Sequence, residues 1–207
     1  MPARTARAQS RALPIRRVLL WSTVAIVIVA AIVTIGLANR LPRIDTQAPP
    51  VTVLSAGQAA PAFSAATTQG VFSLDNAKKP VFLEVFATWC PHCQRETSVI
   101  NRLYDRYKAG VDFVAVSGSP YAYDRVSPES EADVLGFAQY FKVRYPIAFD
   151  GSLAVESAYL QGGYPTIAII GSDKRISYIG SGEIAAHTLA AEIQRVLGRA
   201  TALGRSR

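Results

Sequence analysis

Two cysteines stand three positions apart in the run Phe86-Ala87-Thr88-Trp89-Cys90-Pro91-His92-Cys93, and the chain has no others. A pair so spaced can alternate between dithiol and disulfide. One sulfur attacks the substrate and the other resolves the mixed disulfide. The apolar run before Cys90 reads as a strand and the residues after it as a helix. A sulfur at that junction faces unpaired backbone N–H groups and the positive end of the helix dipole, which favour thiolate over thiol. Pro91 suits the first helical turn, where it has no N–H to lose. Cys93 falls one turn on, close enough to attack a mixed disulfide at Cys90. Cys90 is therefore expected as the exposed nucleophile and Cys93 as the resolving thiol. His92 places an imidazole beside the same helix start, where it can donate to the thiolate or attract it as a cation.

Other uses of the pair fit less well. Zinc wants about four ligands, and beside the two cysteines the chain offers only His92 and His187. His187 reads as a surface histidine. A c-type haem attachment needs His directly after the second cysteine, where Gln94 stands. A structural disulfide closing so short a loop would stabilise weakly. The expected redox group is the Cys90–Cys93 disulfide itself, with no metal and no other cofactor.

The elements that must position these residues follow from periodicity. Val81–Ala87 is almost wholly apolar, as in a strand covered on both faces, and Glu84 interrupts it. Residues 91–109 predict a helix with Val99, Ile100, Leu103, Tyr104 and Tyr107 on one stripe and Gly110 as its stop. Residues 111–116 predict a second buried strand. Ser127-Pro128-Glu129 reads as a helix start with Pro at the first position, the helix running to about Phe141. Residues 146–149, 165–170 and 175–179 read as strands, and 183–197 as a closing helix. Strands alternating with helices predict an α/β domain around one central sheet.

At these residues the chain resembles the thioredoxin superfamily, in particular the exported TlpA/ResA-type thiol–disulfide oxidoreductases, over residues 59–198. The resemblance rests on Ala60-Pro61-Ala62-Phe63, Phe86-Ala87-Thr88-Trp89-Cys90, Glu96 three residues beyond Cys93, Tyr145-Pro146 followed by Asp150, and Gly163-Tyr164-Pro165-Thr166. It implies a thioredoxin-like fold with a central mixed sheet flanked by helices, and a cis peptide bond before Pro165 beside the reactive cysteine. Glu84 is implied to lie beneath the resolving cysteine and relay its proton, against the plainer reading of an acid paired with a lysine. Glu96 is implied to tune the thiols, against that of a solvated helix-surface acid. Trp89, Tyr164, Pro165 and Thr166 are implied to meet substrate. The dipeptide Pro91-His92 is instead the one seen in DsbA, so scaffold and dipeptide leave the direction of electron flow open.

The formal charge of +7 is uneven. Residues 1–43 hold seven arginines and no acid, and the remaining 15 basic residues match the 15 acidic ones. The globular part thus has no basic excess to hold nucleic acid. Residues 18–38 carry no charge, and 21 residues of helix span the roughly 30 Å of a bilayer core. Five arginines precede the span and two follow it, so the N-terminus is expected in the cytoplasm and the C-terminal part outside. Trp21 reads as an interfacial anchor. The rival is a cleavable signal peptide, whose apolar core runs about 7–15 residues; Gly36 and Ala38 would be its small residues. The expected order is a basic tail (1–17), a transmembrane helix (18–38), a linker (39–58), the thioredoxin-like domain (59–198) and a basic tail (199–207). The protein is expected in the cytoplasmic (inner) membrane, acting on exported thiol or disulfide proteins and recycled by a membrane redox partner. Apocytochrome c and secreted proteins in general both remain open as substrates.

Two other classes compete. A peroxiredoxin-like peroxidase would need Thr three residues before the cysteine and Pro further back, where Ala87 and Leu83 stand. A Sco-type copper-delivery protein would need a CxxxC spacing and a well-placed distant His.

Overall fold

The computed structural model describes residues 21, 24, 26–34 and 53–205. The chain divides into two compact units, Met1–Val51 and Thr52–Arg207. The expected basic tail 1–17, most of the linker and residues 206–207 lie outside the described residues. So does part of the expected 18–38 span. Its described residues are helical and exposed, yet among the described residues no helix is long and apolar enough to cross a membrane.

The second unit is built on a seven-stranded sheet: β1 (Ser64–Thr67), β2 (Gly70–Ser73), β3 (Val81–Phe86), β4 (Asp112–Ser117), β5 (Ile147–Phe149), β6 (Thr166–Ile170) and β7 (Ile176–Ser181), with helices α1 (Pro91–Tyr107), α2 (Glu131–Tyr140), α3 (Ala154–Tyr159) and α4 (Ala186–Arg205). The strand order is β2-β1-β5-β4-β3-β6-β7. β3 runs parallel to β4 and antiparallel to β6, which makes the sheet mixed. All six residues of β3 are buried. Phe82 and Phe86 face a core shared with Ile100 and Leu103 of α1 and Leu189 and Ile193 of α4. Val81, Leu83 and Val85 face a second core with Val155 and Tyr159 of α3. Each such fully buried side chain contributes about 1.5–3 kcal/mol, so both faces of β3 are firmly held. Strand alternation puts Glu84 on the α1 side with Phe82 and Phe86.

Several boundaries depart from expectation. Residues 127–129 do not begin α2. Ser130 is the N-cap, in a capping box with Asp133. The Ser-x-x-Asp pair satisfies the helix end more fully than a proline can, and Glu129 is drawn inward instead. α4 starts at Ala186, not at residue 183, because Gly182 takes a positive φ and turns the chain first. The edge strand β2, its neighbour β1 and the short α3 carry no clear sequence signal. β1 and β2 have mixed burial and little apolar alternation. α3 is anchored by Asp150, which accepts from the backbone N–H of Ser152 and Val155. Nor does the linker stay free up to residue 58. Leu54 is buried in the second core, and the Gly57 N–H donates to Ile176 O at 2.8 Å.

Candidate active site

Cys90 is the N-cap of α1, with φ −80° and ψ 116°, and Pro91 follows in the first turn. Its thiol is held down at about 6. The largest cause is a hydrogen bond from the Cys93 thiol, joined by the backbone N–H groups of Cys93 and His92 and the charge of His92, while burial opposes them. Cys93 is pushed far the other way, first by burial, then by its bond to Cys90 and by the charge of Glu84. One sulfur is thus a ready thiolate and the other a retained thiol. The expectation of an exposed Cys90 is corrected: it is only 3% exposed against 0% for Cys93, because the loop before β6 packs over the helix start. Its sulfur lies 3.5 Å from the carbonyl oxygen of Tyr164, and the Tyr164–Pro165 bond is cis.

Two buried carboxyl groups belong to the same core. Glu84 is 2% exposed, and the Tyr145 hydroxyl donates to its Oε2 at 3.2 Å. Burial raises Glu84 to about 8; the Tyr145 bond works against this, and the charges of Glu96 and Cys90 add to it. Its side-chain partner is a tyrosine, not a lysine. Glu96 is also 2% exposed, so it is not a solvated surface acid. Burial, and next the charge of Glu183, raise it to about 7, while the Ile184 N–H and Arg102 oppose. Its Oε1 is buried without a hydrogen-bond partner.

His92 is exposed, and its side chain meets an acid and an arginine. Its Nδ1 lies 2.7 Å from Glu183 Oε1 and 2.9 Å from Arg95 Nη2. Arg95 in turn donates to Glu183 Oε1 from Nε at 2.9 Å and Nη2 at 2.5 Å. Arg95 first, then His92, hold the Glu183 carboxyl down at about 2.

The Trp89 side is locked by the loop before α2. Glu129, 6% exposed, accepts from the backbone N–H of Thr88 at 3.2 Å, the Thr88 hydroxyl at 2.7 Å and the Ser117 hydroxyl at 2.5 Å. Trp89 donates from Nε1 to Ser119 Oγ at 2.8 Å, sits edge-on to Tyr164 at 5.8 Å and lies beneath the Arg125 guanidinium at 4.9 Å. The half-buried Tyr164 hydrogen-bonds Glu156 through its hydroxyl. Thr166, expected to meet substrate, is fully buried; its hydroxyl donates to Gly163 O and accepts from Gln161 N–H, holding the loop that carries Pro165. His187 lies on the surface.

Beside Thr88 and Gln94 opens a groove of about 530 Å³, rimmed by Tyr123 and Tyr140, which are 71% and 80% exposed. A larger cavity of about 630 Å³, among Gly57, Asp173, Arg175 and Arg199, contains none of the residues above. The pattern of single residues does not mark Glu129, Ser119, Arg95 or Glu183. The Ser130-to-Asp133 box is the available signal that Glu129 precedes the helix, and Gly182 the signal that Glu183 does too.

The chain has relatives among known proteins. A family model described as Redoxin matches residues 55–196. A thiol-disulfide oxidoreductase ResA of Bacillus cereus is 28% identical over 143 residues, covering 68% of this chain and 78% of the relative. ResA of Geobacillus thermodenitrificans is 32% identical over 134 residues, covering 63% and 72%. Among solved structures, one from Chlorobium tepidum described as a DsbE-type thiol:disulfide interchange protein superposes with a TM-score of 0.60 at 25% identity, covering 70% of this chain and 99% of that one. StoA of Bacillus subtilis, at 22% identity and a TM-score of 0.54 over 64% of this chain and 96% of its own, shares the fold.

Proposed function

This chain belongs to the Redoxin family and is a thiol–disulfide oxidoreductase of the ResA/DsbE type, and we propose that Cys90 and Cys93 are its reaction centre, exchanging disulfides with exported proteins outside the cytoplasm. The observation that carries the residue assignment is the opposite setting of the two thiols at one helix start. In the reducing direction the Cys90 thiolate attacks a substrate disulfide, its S–S bond breaks, and the departing sulfur takes a proton. Cys93 then attacks the Cys90 sulfur of the mixed disulfide, releases the second substrate thiol and closes the Cys90–Cys93 disulfide. Two electrons pass to the substrate. The oxidising direction is the same path reversed.

Cys93 must lose its proton to attack. Glu84, on the α1 face of β3 and held by Tyr145, takes the proton in our reading, through its ionised fraction. Pro91 leaves the first turn of α1 open. Tyr164 and Pro165 form the floor along which the substrate backbone lies, and Trp89 forms a wall; Thr166 holds that floor from behind. Glu96 tunes the pair through its buried charge.

The uncharged stretch 18–38 and the arginine asymmetry around it support a membrane anchor with the N-terminus inside, and a membrane redox partner then resets the pair. Protease added to spheroplasts should digest the domain and leave the N-terminal tail. Protection of the domain, or release of a soluble form starting near Asn39, would overturn the topology. The activity itself is tested by insulin reduction and by oxidation of a scrambled substrate, beside peroxide consumption. Disulfide exchange that vanishes in Cys90→Ser supports the reaction centre; peroxide turnover without exchange defeats it.

A further inference from the structure

We propose that Glu183 is a positioning residue that restrains the oxidising strength of the cysteine pair by holding His92 and Arg95, the basic side chains beside Cys90, in a single ion cluster. The inference rests on Cys90 and Cys93 being the reaction centre. Glu183 lies in the turn between β7 and α4, directly after Gly182 at φ +81°. One of its oxygens, Oε1, meets both His92 and Arg95. These two are three residues apart, on one side of α1 next to Cys90. Nδ1 of His92 has a partner in either state, since it accepts from Arg95 when bare and donates to Glu183 when it carries a proton. Both basic groups act on the reacting sulfur: the charge of His92 favours the Cys90 thiolate, and Arg95 and Cys90 feel each other.

A carboxylate in the middle of this cluster cancels part of the positive field that would otherwise fall on the thiolate. Less thiolate stabilisation means a less stable dithiol and a weaker oxidant. The Pro-His dipeptide thus comes with its own counterweight, supplied from the other end of the fold. Other charged groups face the site: Arg102 along α1, Glu84 from β3 and Glu129 from the loop before α2, together with Glu96 of α1, which feels the Glu183 charge directly and ionises more readily without it, offsetting part of the change.

The test equilibrates the full chain with reduced and oxidised glutathione, comparing wild type, Glu183→Gln and Glu183→Asp. Glu183→Gln removes the charge but keeps an oxygen for Arg95. At low salt its equilibrium should move toward the dithiol by about threefold, the scale of a solvent-exposed charge pair, with the thiolate absorbance titrating at lower pH. Glu183→Asp should fall between the two. The side chains of His92, Arg95 and Glu183 are 57%, 56% and 42% exposed, so salt reaches them. At 1 M salt, where screening acts over about 3 Å, most of the difference should disappear. An unchanged equilibrium at low salt overturns the proposal, and so does a shift of equal size at high salt, which would mark a structural effect. A wild-type pair that does not equilibrate with glutathione at all would instead defeat the reaction-centre reading.

Discussion

Cys90 Sγ lies 3.5 Å from the carbonyl oxygen of Tyr164, so the start of α1 meets the loop before β6 although 74 positions separate the two residues. In the proposed reaction, a substrate disulfide reaching Cys90 meets this carbonyl. With so little of Cys90 exposed, attack is confined to one line of approach. The same packing leaves Cys93 no path to bulk solvent.

The thiol asymmetry predicts a reactivity profile. Alkylation of the reduced protein should occur at Cys90 alone, its rate rising with pH around a midpoint near 6 rather than 9. Since the Cys93 thiol is the leading donor to Cys90, Cys93→Ala should move that midpoint up further than Cys93→Ser, whose hydroxyl still donates. Both should accumulate mixed disulfides with substrate, and Cys90→Ser should not. Peptide mapping after alkylation reads the first point, and a non-reducing gel reads the second. Preferential labelling of Cys93 would reverse the assignment.

Glu129 predicts a local stability effect. Its carboxylate serves the Thr88 N–H and hydroxyl and the Ser117 hydroxyl. Glu129→Ala leaves the Thr88 N–H and hydroxyl buried without a partner, while the Ser117 hydroxyl keeps the Phe86 carbonyl, and should cost about 2–4 kcal/mol. Trp89 follows Thr88 directly, so its fluorescence should change along with the urea midpoint. A variant as stable as wild type with an unchanged Trp89 spectrum would mean that water replaces the carboxylate freely.

What the sequence disclosed, and what it hid, divides by range. The junction at Cys90, the buried strand carrying Glu84 and the long helix α1 all follow from patterns within about twenty consecutive residues, where hydrophobic period and helix-end chemistry act. Glu129 reaches Thr88 across 41 positions and Glu183 reaches His92 across 91. No local period encodes such pairs. Both acids also sit just ahead of a helix, where an acid reads as part of the first turn. Pro128 strengthens that misreading, because a proline at a first helical position is ordinarily a good sign. Thr166 misleads for a related reason: it neighbours Pro165, but in β6 its side chain turns into the protein and not toward Cys90.

His92 carries a third prediction. Its backbone N–H and its charge both favour the Cys90 thiolate. His92→Gly keeps the first and deletes the second. The potential should fall by tens of millivolts, on a scale running from about −270 mV for thioredoxin to about −120 mV for DsbA, between which the wild type is expected. The midpoint of Cys90 should rise above 6. Equilibration against glutathione, read by Trp89 fluorescence, measures the potential, and thiolate absorbance gives the midpoint. If neither moves, the imidazole is a bystander.

Glu84 carries the fourth, and its sign can be worked out in the oxidised protein, where neither cysteine titrates. The carboxyl sits at about 8 in the dithiol protein against 4.5 ordinarily, and burial, the largest cause, keeps it raised in the disulfide form, where only the smaller push of the Cys90 charge is lost. Between those values the folded protein keeps a proton that the unfolded chain has released, so stability falls as pH rises through the window. Glu96, raised to about 7, acts in the same direction over the lower part of it. Glu84→Gln keeps an acceptor for the Tyr145 hydroxyl and removes the titration. The variant should therefore gain on wild type steadily from about pH 5 to about pH 8 and hold a constant lead above that. The lead should be about 2–3 kcal/mol, below the 1.36 kcal/mol per unit ceiling because water and local relaxation ease the burial of charge. Urea midpoints of both oxidised proteins at about pH 4 and about pH 9, on either side of the window, give the comparison. Parallel profiles would mean that the fold does not raise the Glu84 carboxyl at all, and a carboxylate of ordinary strength is too weak a base to take the proton of Cys93.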